Sequence, residues 1–115
     1  MKQATKYPKS LREFVGLLQP YHKNLSLISL FGSYARGDWD KDSDIDVLVV
    51  SQSNDYKLRD KIFELVDQAM ASVDYNELLS PIVMDVTHFN KLKRNNSDFY
   101  YFLNKEGKVL WQKTK

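Results

Sequence analysis

Gly32 and Ser33 follow the apolar run Leu25 to Phe31, and after ten intervening residues Asp44 and Asp46 open a second run, DIDVLVV. A glycine at the end of a strand lets the backbone approach a ligand closely. The N–H groups of Ser33 and Tyr34, opening a short helical turn, can then face oxygen anions, and the Ser33 hydroxyl adds a donor. Two carboxylates two residues apart in a strand leave the same face of the sheet, with Cα atoms about 6 to 7 Å apart. Like charges at that spacing repel and raise one pKa unless a cation neutralises them. A divalent metal does so. If the two strands pair antiparallel, the turn and the carboxylates meet at one point, which suits metal-assisted substitution at the α-phosphate of a nucleotide.

Other phosphate and metal motifs fail on specific residues. Gly32 and Gly37 have the spacing that opens a P-loop, but Asp38 and Trp39 stand where Lys and Ser/Thr are required. The alternating Asp38, Asp40, Asp42 and Asp44 imitate a calcium loop, yet Ser43 replaces its turn glycine and Val49 its bidentate glutamate. Arg36-Gly37-Asp38 matches an adhesion tripeptide by letters only, and no dinucleotide-binding glycine fingerprint is present.

The elements that must position these residues follow from periodicity. Ser10-x-x-Glu13 has the form of a capping box ahead of Leu11, Phe14, Val15 and Leu18, and Pro20 marks the end of that helix. Leu25 to Phe31 predicts a buried strand. Asp44 to Val50 predicts another, apolar on both faces beyond Asp46 and therefore central to its sheet. From about Asn54 to Ser72, Leu58, Ile62, Leu65, Val66 and Met70 recur at steps of three and four, which predicts the longest helix. Ser80 to Val86 predicts a third strand, with Pro81 confined to its start or to a sheet edge. Two short helices over Thr87 to Lys93 and Asp98 to Lys105 follow, the second capped by Ser97 and stopped by Gly107, and Val109 to Trp111 is expected to add a short edge strand. Eleven residues between Gly32 and Asp44 are too few for a parallel crossover helix, so the first two strands pair antiparallel. The expected class is α/β (α+β), a mixed sheet flanked by helices.

At 115 residues the chain is expected to form a single domain over 1–115, with a loose arm over 1–9. The apolar runs are too short for a membrane span and no signal-peptide core precedes them. With no cysteine, a disulfide scaffold and thiolate metal sites are excluded, and a cytoplasmic location is expected. The net charge of +2 does not by itself indicate a nucleic-acid partner. Its distribution is uneven, because residues 38–46 carry five Asp against one Lys while residues 91–115 carry seven Lys/Arg against two acids. Carboxylates for cations and basic flanks for phosphates suit a metal-nucleotide site, although a solvated basic surface is the common origin of such runs.

The stretch FGSYARGDWDKDSDIDVLVV resembles the signature of the DNA polymerase β-type nucleotidyltransferase superfamily. The short chain and the Ser-Asp-Ile-Asp run resemble its minimal nucleotidyltransferases, often paired with a helical HEPN protein. The resemblance implies a polymerase β-like fold in which Gly32 and Ser33 hold a triphosphate and Asp44 and Asp46 bind two Mg2+. It also implies transfer of a nucleoside monophosphate, usually AMP from ATP, to a hydroxyl, with a HEPN toxin as a partner and acceptor. A homo-oligomer is compatible with it. Active members carry a third carboxylate on a neighbouring strand. Asp85 is the candidate inside the third strand, although it falls late there, and Asp74 and Glu77 lie just before it. Without such an acid the alternative is a weak or inactive module acting as an antitoxin by contact.

Several residues have two readings. Arg36 is assigned either to a phosphate or to a neighbouring aspartate, the pairing being favoured. Trp39 can stack on a base or, more commonly for an indole, pack against the protein. Lys41 is expected in solvent, Tyr100, Tyr101 and Phe102 in the core or facing a partner, and His22 and His88 have no companion ligands nearby.

Overall fold

In the computed structural model, which describes residues 7–114, three long-range pairings place the signature. Helix α1 (Lys9–Leu17) leads through a 3-10 turn (Gln19–Asn24) into strand β1 (Leu25–Phe31), and the one-turn helix α2 (Gly32–Arg36) follows. Strand β2 (Ile45–Ser51) and helix α3 (Tyr56–Ala71) come next, then β3 (Leu79–Asp85), α4 (Val86–Arg94), α5 (Asp98–Glu106) and β4 (Lys108–Gln112). The sheet order is β3-β2-β1-β4, with β1 antiparallel to both β2 and β4 and β2 parallel to β3. The sheet is mixed and flanked by helices, and β2 is central, as its doubly apolar pattern requires.

Successive residues of a strand point to opposite faces, so β2 divides its side chains between two cores. Ile45, Val47 and Val49 belong to the larger one, with Leu11 and Phe14 of α1 and Ile62, Leu65 and Val66 of α3. Leu48 and Val50 face the other way, toward Leu27, Phe31, Phe89, Phe99 and Leu103. Asp46 shares this second face at its open end. α4 and α5 cover the rest of it.

The sixteen-residue α3 is the crossover that makes β2 and β3 parallel. Asp55 starts it, its carboxylate accepting from the N–H groups of Lys57 and Leu58. Ser97 caps α5 through the Tyr100 N–H, and Gly107 ends that helix by donating to the Leu103 carbonyl. Pro81 lies in β3 on the sheet edge, where its missing donor costs no ladder bond.

Three local expectations are corrected. Ser10 is not a helix cap: Pro8 occupies the cap position without a side-chain bond, and the Ser10 N–H donates to Glu77 Oε1 at 2.9 Å. A donor in the first turn of a helix has no intrahelical partner, and here an acid 67 residues away satisfies it instead of Glu13. The arm expected over 1–9 is not loose at its end either. Lys9 is helical and Tyr7 packs on the larger core, while residues 1–6 lie outside the described residues. β2 also begins at Ile45, so Asp44 stands immediately before the strand.

Candidate active site

The β1–β2 register puts Phe31 opposite Asp46, so the chain leaves β1 at Gly32 directly beside the Asp46 carboxylate. Gly32 has φ of +74°, and a Cβ at this position would overlap Asp46 Oδ2. Left-handed backbone and lack of space each call for glycine. α2 begins at once, and Gly37 closes it in a left-handed conformation with φ of +88°. The first N–H groups of a helix have no partners within it, which leaves those of Ser33 and Tyr34 as donors at the Asp46 end of the turn.

Asp46 is half-buried and Asp44 exposed. Burial is the main cause that pushes the Asp46 carboxyl above its ordinary value; the charge of Asp44 adds to the shift, and Arg36 opposes it only in part. Among the described residues neither Asp44 nor Asp46 forms an ion pair, and Arg36 is engaged with Asp38 and Glu106. Two adjacent carboxylates in that state match the hard oxygen donors that Mg2+ takes, and Asp44 and Asp46 are the residues that would hold such an ion.

A sequence profile described as the nucleotidyltransferase domain matches residues 9–109, most of the chain and all of this site. The chain belongs to the nucleotidyltransferase domain family. A Methanocaldococcus jannaschii protein carrying the provisional name protein adenylyltransferase is 36% identical over 104 residues, covering 90% of this chain and 96% of that one. A solved toxin-antitoxin with AMP-PNP aligns with a TM-score of 0.55 and 25% identity over 89% of this chain and 73% of its own. A Sulfolobus solfataricus structure provisionally described as a nucleotidyltransferase aligns with a TM-score of 0.56 over 91% of this chain and 79% of its own; at 23% identity it supports the fold alone.

Within this nucleotidyltransferase, Asp85 does not join Asp44 and Asp46. In the parallel β2–β3 register Asp46 lies opposite Ser80 and Asp85 opposite Ser51, five residues further on, or about 17 Å along the strand. Asp85 caps α4, its carboxylate accepting from the His88 N–H at 2.8 Å. The residues of β3 nearest Asp46 on its face are Ser80 and Ile82, neither of them acidic. Glu77 is engaged with Ser10, and Asp74 sits in the turn after α3 with φ of +53°. Among the described residues no group of three or more His, Asp or Glu is arranged to hold a metal.

Arg36 bonds Asp38 at 3.2 Å and reaches Glu106 of α5 at 3.6 Å. The first contact was legible from spacing. The second, across 70 residues, had no local signal. Trp39 stacks on Tyr34 with ring centroids 4.8 Å apart and planes 4° from parallel, so one face of the indole is taken by α2. Lys41 is exposed, and His22 stacks on Trp111. Tyr100 packs edge-on to Phe89, whereas Tyr101 and Phe102 are about half exposed.

Proposed function

We propose that this nucleotidyltransferase moves AMP from ATP, with Mg2+, to a hydroxyl of a partner protein such as a helical HEPN protein. The observation that carries this reading is the Asp46 carboxylate seated against Gly32 at the head of α2. Phosphates lying over that turn would meet the N–H groups of Ser33 and Tyr34 on one side and the Asp44–Asp46 pair on the other. The provisional name of the Methanocaldococcus jannaschii relative and the AMP-PNP in the toxin-antitoxin structure both support adenylyl transfer.

Mg2+ at Asp44 and Asp46 would supply charge neutralisation on the phosphates and polarise the α-phosphoryl group. The chain contributes position. Gly32 admits the phosphates close to the backbone, the turn orients them, and Asp44 and Asp46 fix where the cation must sit. In the transfer the acceptor oxygen bonds to the α-phosphorus as the α–β bridging bond breaks. Pyrophosphate leaves and the hydroxyl proton passes to solvent.

The second reading, a weak or inactive module that restrains its partner by contact, is favoured by one feature: neither Asp85, Asp74 nor Glu77 is placed as a third acid. Labelled transfer separates the two. With ATP labelled at the α-phosphate, Mg2+ and the partner protein, we expect label on the partner with the wild-type chain and none with Asp46→Asn. A stable complex that never acquires label would favour restraint by contact.

A further inference from the structure

We propose that the cleft between the end of β1, α2 and α5 seats the base of the bound nucleotide, with Phe102 as its stacking surface. This rests on the reading of Gly32, Asp44 and Asp46 as the metal-phosphate site. The cleft has a volume of about 410 Å³, inside the range of small-molecule sites. It is continuous with the phosphate turn because Gly32 forms part of its wall, and it opens on the face of the sheet that carries Asp46, since Phe31 pairs with Asp46.

Its chemistry is that of a flat heterocycle's complement. Phe31 and Phe99 meet edge to face at 5.4 Å and, with Leu103, form an apolar floor. Phe102 lines the same cleft and is 52% exposed, a large apolar ring with an uncovered surface. Arg36 and Glu106 stand at the cleft as a charged pair 3.6 Å apart, offering a donor and an acceptor to the polar edge of a base. A nucleobase has apolar faces and a polar rim, and stacking on an aromatic side chain is a recurrent source of its affinity.

The larger cleft, about 670 Å³, does not fit this role. It lies behind α2, between Tyr34, Trp39, Glu77 and Lys108, and Leu30 in its wall belongs to the opposite core from Asp46's face. Trp39 is already stacked on Tyr34 there.

Binding of MgATP and of magnesium tripolyphosphate, which has no base, tests the assignment in the full chain. Phe102→Ala should weaken MgATP about tenfold or more. It should leave tripolyphosphate affinity unchanged, and Phe102→Trp should keep MgATP tight. Circular dichroism of the variants checks folding, which an exposed position should preserve. If Phe102→Ala binds MgATP as wild type does, or loses both ligands equally, the base does not sit here. Equal affinity of the wild type for both ligands would also remove the base site while sparing the phosphate site, and binding of neither would remove both. Loss of partner binding in Phe102→Ala with MgATP affinity intact would assign the ring to a protein contact instead.

Discussion

Gly32→Ala should lose both stability and nucleotide binding, and Gly37→Ala should lose only the first. A non-glycine residue in left-handed backbone costs about 1–3 kcal/mol, and both glycines have positive φ. Only at Gly32 does the new methyl group also collide with a side chain, the Asp46 carboxylate; a Cβ at Gly37 meets nothing within 4 Å. Relieving the clash means turning Asp46 away or lifting the turn, and in the proposed site either would separate the phosphate donors from the metal ligand. Urea unfolding should therefore show a loss of the same order in both variants, larger at Gly32, while calorimetric titration with MgATP finds binding in Gly37→Ala alone. Near wild-type affinity in Gly32→Ala would mean that contact between this turn and Asp46 is irrelevant to the ligand.

Asp46→Asn should abolish MgATP binding while making the metal-free protein more stable at neutral pH. Changes to groups that merely support metal ligands cost about 10–100-fold in affinity, and removing a ligand's charge should cost at least as much. The stability gain follows from linkage. Burial and the neighbouring Asp44 raise the Asp46 carboxyl above its ordinary 3.8, so folding favours its protonated form. The stability associated with that protonated form is fully present below the unfolded value and is lost as pH rises through the folded one. Asparagine carries no charge to desolvate, so its advantage over the wild type should be absent near pH 3 and open as pH rises toward neutrality. Thermal melts in chelator across that interval measure it. A variant less stable than wild type at pH 7 would contradict the direction of the shift. Such a site sets binding against stability, as functional carboxylates commonly do.

Much of this arrangement was readable from the residues. The Leu25–Phe31 strand has the expected bounds, the α3 periodicity marks its buried face, and the short connection before Asp44 gave the antiparallel pairing that brings Gly32 to Asp46. Each of these is a local pattern or a limit on chain length. The late position of Asp85 was legible, and so was its consequence: a helix as long as α3 between two strands implies that they run parallel, so a residue late in β3 lies far from one early in β2. The Ser10–Glu77 bond and the Arg36–Glu106 pair join residues far apart in sequence, and no periodicity carries that information. The Tyr34–Trp39 stack depends on the path of the acidic loop, which its composition leaves free.

Crystals grown with Mn2+ in place of Mg2+ and a non-hydrolysable ATP analogue test the central claim most directly, because Mn2+ can be located by its anomalous scattering. The predicted map has manganese liganded by Asp44 and Asp46, with the phosphates lying against Gly32 and Ser33. Manganese held away from the Asp46 carboxylate, or a nucleotide whose phosphates bind elsewhere on the chain, would contradict it.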